Sequence, residues 1–439
     1  MSDSYQQRLL NVIPGGAHTY SRGFDQFPSN APDILERAEG AYTFDVDGRR
    51  YLDYGMALRS VGIGYAEPEV NAAAAKYMGF GNNLTRPSLI ELEAAELFVQ
   101  AIPSVDMVKF TKNGSTAVSA AVKLARAATG RELIARCVDH PFFSFDDWFI
   151  GSTNIPKGVP QPVIDQTKIF SYNQIETLEA LIDRYPNDIA CVVLEASTLA
   201  HPGPSRDVDG ETFLHDVQRL CKKHGIVFVL DEMITGFRWA EQGAQDYYGI
   251  SPDLCTFGKA MANGFSVAAV GGKRELMQLG SIELEGQERV FLLSTTHGAE
   301  MSGLGAFVAT YRFMQQHDVI PHYWSYGDRL IGLLNQVAEK QGVVSVFQAG
   351  GVPCSPFYMF RDCSQASSAE LRTLFMQEMF KEGVMMPWIA LCYRMGQDEL
   401  ELTETAVSKA FSMVARAMST GVDGLLQGPV VKPVFRTFN

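Results

Sequence analysis

The sequence predicts an α/β protein: a mostly parallel, doubly wound sheet in a large domain, and a smaller α+β domain. Three observations carry that prediction. Short, fully apolar runs rich in β-branched residues, such as Ile226 to Leu230 and Ile189 to Leu194, read as strands buried on both faces. Helical segments alternate with such runs from about residue 105 to 272. A polar residue follows one strand after another: Asn113, Glu195, Asp231, Lys259. In open α/β sheets ligands sit just beyond the carboxyl ends of the strands, so the pattern points to one site along that edge.

The elements follow in order. Residues 1–30 read as helix and then a loop rich in Gly and small polar groups, Ile13 to Gly23. Glu39 to Gly55 alternates apolar and polar residues around Asp47-Gly48, a hairpin pattern. Glu67 to Phe80 and Leu89 to Ala101 carry helical spacing. Val105 to Thr111 reads as a strand that runs through Lys112-Asn113-Gly114-Ser115-Thr116 into an Ala-rich helix, Ala117 to Ala128. Glu132 to Arg136 is a further short strand, followed by the aromatic cluster Asp139-His140-Pro141-Phe142-Phe143. Glu211 to His224 is an amphipathic helix with Gly225 as its C-cap. A helix is expected over Ala306 to Gln316. From about residue 320 the texture changes to helices (Tyr326 to Lys340, Ala369 to Lys381, Thr403 to Met418) and short strands (Val343 to Gln348, Ser355 to Arg361). The expected domains are an arm and hairpin over 1–60 that joins the small domain, a large domain over 61–318, and the small domain over 319–439.

Size and composition exclude several classes. A chain of 439 residues is too long for one simple core. A net charge of −13, with no Lys/Arg-rich run, excludes a nucleic-acid partner. The seven cysteines are scattered without metal-ligand spacing, which suits reduced thiols and a cytoplasmic location. No apolar run reaches the roughly 18–20 residues that span a bilayer, and the polar start of the chain has no signal-peptide core.

Two residues carry the chemistry. Lys259 is the only charge between Leu254 and Gly264, and apolar company lowers a lysine pKa, as covalent amine chemistry requires. Asp231 ends a buried strand, where it is either a cap or the partner of a positive ring nitrogen. Gly114, Ser115 and Thr116 at a helix start form an anion cradle, or simply cap the helix. Neither G-x-x-x-x-G-K-[ST] nor G-x-G-x-x-G is present, so a nucleotide loop is not expected. Pyridoxal phosphate needs a lysine, an acid at its ring nitrogen, a phosphate cradle and a flat face to stack on. The sequence offers a residue for each.

The motifs L-D-E-M-I-T-G-F-R (Leu230 to Arg238) and P-D-L-C-T-F-G-K-A-M-A-N-G (Pro252 to Gly264) resemble the signatures of class III pyridoxal-phosphate aminotransferases. The N-terminal I-P-G-G and E-R-A-E-G-A-Y-T-F-D-V-D-G-R-R-Y-L-D-Y are similar to the glutamate-1-semialdehyde aminomutase branch, as is S-T-A-V-S-A-A-V-K-L-A-R-A-A-T-G-R. The resemblance implies the fold-type I, aspartate aminotransferase-like architecture. It implies that Lys259 is the Schiff-base lysine, that Asp231 pairs with the pyridinium nitrogen, and that Gly114, Ser115 and Thr116 hold the phosphate. Glu195 matches the glutamate that opens the family's E-P-V loop. Thr296 matches the threonine that reaches the neighbouring subunit's cofactor, which implies a homodimer with shared sites.

The family pattern breaks in several places. Its aromatic-His-Gly motif is D-H-P-F-F-S here, so Phe142 is the expected stacking residue and His140 the second choice. Its E-P-V-x-G loop is E-A-S-T-L-A, which leaves Thr198 or His201 to meet the cofactor's ring hydroxyl. Its T-F-x-x-N-P is T-H-G-A-E-M. The added polar residues Tyr20, Arg22, Arg59, His201, His297, Glu300 and Arg394 suit a polyhydroxylated acid, although each is equally an ordinary structural hydrogen-bonding group. H-T-Y-S-R-G with T-H-G-A-E resembles a subgroup that aminates sugars. The expected reaction is therefore amino transfer from glutamate to a keto or aldehyde sugar acid, the favoured acceptor being an octulosonate of bacterial lipopolysaccharide. The rivals are an intramolecular aminomutase, a non-catalytic sensor that keeps the fold, and a lysine-dependent aldolase without cofactor.

Overall fold

A computed structural model describes residues 4–439. The expectation for residues 1–30 also covers residues 1–3, which lie outside the described residues. The chain divides into two compact units, residues 1–67 with 321–436 (the terminal unit) and residues 68–320 with 437–439 (the sheet unit).

In chain order the strands are β1 (Leu35–Glu39), β2 (Tyr42–Asp45), β3 (Arg50–Asp53), β4 (Met107–Thr111), β5 (Leu133–Cys137), β6 (Thr167–Phe170) and β7 (Ile189–Glu195). They continue with β8 (Val227–Asp231), β9 (Leu254–Phe257), β10 (Ala268–Gly272), β11 (Phe347–Val352), β12 (Ser355–Phe360) and β13 (Val384–Met385).

The sheet unit is built on a seven-stranded sheet in the order β4-β10-β9-β8-β7-β5-β6. Strands β5 to β9 pair in parallel, and β10 is antiparallel to both of its neighbours. Every residue of β7 and β8 is buried, which is why both appear in the sequence as unbroken apolar runs. Strand β10 gave no such run, because its sequence is Ala-Ala-Val-Gly-Gly. Its glycines answer to packing: a Cβ on Gly272 would lie 2.3 Å from the Asp253 carbonyl oxygen. Helix Phe213–His224 ends at Gly225, whose φ of 60° is the left-handed cap expected of glycine. Helix Met301–Gln316 starts five residues earlier than Ala306, because Met301, Ser302 and Gly303 are buried with the rest of it.

The terminal unit holds a sheet in the order β1-β2-β3-β13, with β13 parallel to β3, and the β11–β12 hairpin. Its core is aromatic. The ring centroids of Phe347 and Phe411 are 4.6 Å apart, those of Phe360 and Phe375 are 5.2 Å apart, and those of Phe375 and Phe411 are 5.5 Å apart. The buried Tyr54 hydroxyl is satisfied by Tyr326 at 2.9 Å and Thr403 at 2.8 Å. Two sequence expectations shift here. The strand expected over 343–348 begins only at Phe347 and runs to Val352, through Gly350 and Gly351, which hid it. The helix expected from Thr403 begins at Gln397, where the Glu399 carboxylate accepts the Gly396 N–H at 2.7 Å.

One turn in this unit is unusual. Met56, Ala57, Leu58 and Arg59 have φ of 41°, 46°, 63° and 67°, four consecutive non-glycine residues in the left-handed region. Such a conformation costs roughly 1–2 kcal/mol per residue, so the surroundings must enforce it.

Candidate active site

Strands β7, β8 and β9 run parallel in register, so Glu195, Asp231 and Thr256 stand side by side at the carboxyl edge of the sheet. Asp231 and Glu195 are 1% and 2% exposed. The backbone N–H of Met233 donates to Asp231 Oδ1 at 2.8 Å. Burial, and then the neighbouring Glu195 carboxylate, push the Asp231 pKa up, while Lys259 pulls it down. Two carboxylates buried side by side make this edge a place where a cation is favoured. The Thr256 hydroxyl, beside Asp231, is buried and makes no well-formed hydrogen bond.

Lys259 follows from the same strand set. Strand β9 ends at Phe257, and the chain passes through Gly258 to Lys259, whose φ is 48°. A lysine held in the left-handed region is strained, and strain of this kind persists where the surroundings fix it. Met233 ties the pieces together. A Cβ on Gly114 and a Cβ on Gly258 would each lie 2.7 Å from the Met233 sulfur. The helix start, the loop after β8 and the turn before Lys259 therefore converge on one side chain.

The helix Gly114–Thr129 begins directly after β4. Its cap is Asn113 rather than Ser115 or Thr116: Asn113 Oδ1 accepts the Thr116 N–H at 2.9 Å and the Thr116 hydroxyl at 3.0 Å. An amide one residue ahead of the helix reaches this position, whereas Ser115 and Thr116 already lie inside it. The Ser115 hydroxyl accepts the Phe145 N–H at 3.1 Å. The first N–H groups of the helix have no acceptor within it and, with the helix dipole, form an anion cradle.

The two candidate stacking rings differ in burial. Phe142 is 44% exposed and packs edge-on against Phe149 at 5.5 Å. His140 is buried, pushed down to about 3 by that burial, and accepts the Glu195 N–H at Nδ1, 3.0 Å away. It is a neutral ring with its proton on Nε2, set against Tyr172 at 5.0 Å. The Thr198 hydroxyl donates to the Glu195 carboxylate, while His201 Nδ1 turns to the Tyr248 hydroxyl at 2.9 Å.

Several of the remaining polar residues have local partners. Glu300 pairs with Lys112 at 2.5 Å and accepts the Asn82 amide at 2.6 Å, just ahead of helix Met301–Gln316. His297 Nδ1 lies 3.4 Å from the Asn83 amide, and that amide donates to the Thr296 carbonyl at 3.0 Å. In the terminal unit, Arg394 pairs with Glu67 at 2.6 Å and Arg59 donates to Ser355 Oγ at 2.6 Å. Tyr20 is 72% exposed, and Arg22 is exposed without an ion pair among the described residues. Sequence reasoning missed Met233 and Thr256. Strand register would have found Thr256, since it is the β9 neighbour of Asp231; nothing in the sequence singles out Met233.

A pyridine ring with a phosphate fits these residues. The paired buried carboxylates call for a cationic ring nitrogen, the glycine at the helix start keeps the cradle open, and Lys259 stands at the end of the adjoining strand. The comparisons agree. The family described as "Aminotransferase class-III" matches residues 26–387. The chain is similar to a 3-aminobutyryl-CoA aminotransferase of Cloacimonas acidaminovorans, with 28% identity over 95% of this chain and 98% of the relative. It is 31% identical to a glutamate-1-semialdehyde 2,1-aminomutase of Francisella philomiragia, over 77% of this chain and 78% of the relative. Among solved structures, the FumI protein of Sphingopyxis sp. MTA144 in a PLP form superposes with a TM-score of 0.84 at 25% identity, covering 95% of this chain and 97% of that one. A glutamate-1-semialdehyde aminomutase of Pseudomonas aeruginosa PAO1 shares the fold, with a TM-score of 0.80 at 19% identity over 92% of this chain and 93% of that one. The cofactor is pyridoxal 5′-phosphate, the fold is that of fold-type I transferases, and the chain belongs to the class III aminotransferase family.

Proposed function

We propose that this aminotransferase moves the amino group of glutamate to a keto or aldehyde sugar acid by a ping-pong route, the preferred acceptor being 8-oxo-3-deoxy-octulosonate. The product would be 8-amino-3,8-dideoxy-octulosonate, for cytoplasmic assembly of lipopolysaccharide. The observation that carries the amino-transfer part is the row Glu195–Asp231–Thr256 with Lys259 on the next turn of chain. When bound, pyridoxal phosphate supplies an electron-withdrawing ring that acidifies the Cα–H of the amino acid joined to it.

The chain's own residues divide the work as follows. Asp231 keeps the ring nitrogen protonated, because a cation there relieves the repulsion between its carboxylate and that of Glu195. Lys259 would be the residue that holds the cofactor covalently, and its Nζ would carry the proton removed from the substrate α-carbon. Gly114, Ser115 and Thr116 at the helix start hold the phosphate, with the Thr116 N–H and hydroxyl exchanging Asn113 Oδ1 for it. Phe142, 44% exposed, has a free face to stack on the ring, whereas His140, 3% exposed and fixed by the Glu195 N–H, has none to offer. Thr296 of each subunit of a homodimer completes the phosphate site of the other. Acceptor recognition is assigned to Tyr20, Arg22, Arg59, His201 and His297. Glu300 and Arg394, already held in ion pairs, support rather than touch it.

The second reading is an intramolecular aminomutase, favoured by the Francisella and Clostridium tetani relatives, both described as glutamate-1-semialdehyde 2,1-aminomutases. One assay separates the two. PLP-loaded protein is supplied with glutamate and a panel of keto-sugar acids, and 2-oxoglutarate is measured. The transaminase makes 2-oxoglutarate in step with aminated acceptor. Turnover of glutamate-1-semialdehyde without an added donor, and none with the panel, would favour the aminomutase.

A further inference from the structure

Strand β7 outruns its ladder at the site. Its pairing with β5 ends at Arg136–Val193, two residues before Glu195. Past that point, side chains from the loops after β5 and β6 take over from the backbone. His140 Nδ1 accepts the Glu195 N–H at 3.0 Å, and the Tyr172 hydroxyl donates to the Ala196 carbonyl at 2.5 Å. Glu195, Ala196 and His140 are all buried, so both of these hydrogen bonds replace ones that water cannot supply.

The two tethers are fixed to one another. The Tyr172 ring meets His140 at 5.0 Å and Phe213 at 5.2 Å, edge-on in both cases. Asp139 Oδ2 accepts the Tyr172 N–H at 2.7 Å, which joins the two loops. Burial pushes the Tyr172 hydroxyl pKa up, so the group stays protonated and remains a donor. Glu195 is also the register neighbour of Asp231, and its carboxylate accepts the Thr198 hydroxyl. Two buried carboxylates repel each other, so a restraint has to keep them side by side. The backbone at 195–196 is where these tethers apply it.

We propose that Tyr172 is a positioning residue for amino transfer: through the Ala196 carbonyl, and together with His140, it holds the Glu195 carboxylate beside Asp231 against their repulsion. The edge favours a cationic ring nitrogen while the two carboxylates stay together, so Tyr172 acts on that nitrogen through Glu195. The inference rests on the amino-transfer reading but not on the identity of the acceptor.

The test is a double-mutant cycle on the full-length protein, read as the apparent dissociation constant of PLP from its absorbance. Tyr172→Phe removes only the hydroxyl and should weaken PLP by about tenfold. Glu195→Gln removes the charge and should do the same. The double variant should lose no more than Glu195→Gln alone, because Tyr172 acts through that carboxylate. A tyrosine with only a structural role would lower Tm and leave the PLP constant where it was, or the two losses would multiply. His140→Leu removes the other tether and should match Tyr172→Phe. His140→Asn, whose Oδ1 can accept the Glu195 N–H, should recover most of the affinity. If Tyr172→Phe does not fold, the two His140 variants decide. The proposal is overturned if folded Tyr172→Phe or Glu195→Gln holds PLP as wild type does, if the losses multiply, or if His140→Asn binds no better than His140→Leu. A wild type that takes up no PLP would instead overturn the amino-transfer reading itself, which sets the two failures apart.

Discussion

Asp231→Asn removes one charge while keeping the shape and the acceptor oxygen for the Met233 N–H. The size of the effect depends on the dielectric surroundings. A carboxylate paired with a cation about 4 Å away is worth about 1 kcal/mol in bulk water and about 4 kcal/mol at the effective dielectric constant of a protein site. Asp231 is 1% exposed, so the larger value applies. At tenfold per 1.36 kcal/mol, the variant should lose roughly 10³-fold in the glutamate half-reaction, against about fivefold for an exposed pair. The assay is single-turnover release of 2-oxoglutarate from variant protein whose PLP loading has been matched to wild type by absorbance. A loss of less than tenfold at full loading would refute the argument that the buried charge of Asp231 sets the electronics of the ring.

Other outcomes follow from the same structure. Glu232, fully buried, accepts the Ala244 and Gln245 N–H groups at 2.9 and 2.8 Å as well as the Thr235 hydroxyl. Glu232→Ala should cost roughly 3–5 kcal/mol of stability, read as a lower urea midpoint, because it strands buried donors. Asp53 is pushed up by burial from 3.8 to about 6. Its folded pKa exceeds its unfolded one, so the folded state binds the extra proton. The contribution is therefore fully present below pH 3.8 and is lost as pH rises through about 6. The shift of about two units corresponds to roughly 3 kcal/mol, and Asp53→Asn should flatten that part of the stability-versus-pH curve. Gly236→Ala places a Cβ 2.4 Å from the Phe257 ring and should cost about 1–3 kcal/mol by overpacking, seen as a lower Tm. If Thr296 completes a neighbouring subunit's phosphate site as proposed, Thr296→Val should weaken PLP retention without changing the circular dichroism spectrum.

Much of the sheet unit was legible because parallel strands buried on both faces leave unbroken apolar runs, as β7 and β8 do. The candidate pair stood out for a related reason. Asp231 and Lys259 each interrupt an apolar stretch, and a charge placed there needs a partner. Strand β10 was not legible, because its small residues answer to close backbone packing against Asp253 and Leu254 rather than to hydrophobic alternation. The Asn113 cap escaped notice because three polar residues within four positions, Asn113, Ser115 and Thr116, offer the same chemistry, and only the helix start decides among them. Glu300 and Arg394 read as isolated polar residues in sequence, and the structure pairs each with a residue distant in the chain, Lys112 and Glu67. The left-handed turn at 56–59 had no sequence mark at all, since Met-Ala-Leu-Arg is ordinary helix-forming sequence.

The central claim is that Lys259 and Asp231 organise pyridoxal phosphate for amino transfer from an external donor. The most direct measurement is a single-turnover experiment with PLP-loaded wild-type and Lys259→Ala protein, given glutamate and no acceptor. Wild type is expected to release 2-oxoglutarate stoichiometrically with its bound cofactor, while Lys259→Ala releases it more slowly by on the order of 10⁴-fold. A PLP-loaded wild type that yields none, or a Lys259→Ala protein that keeps pace with it, would contradict the account.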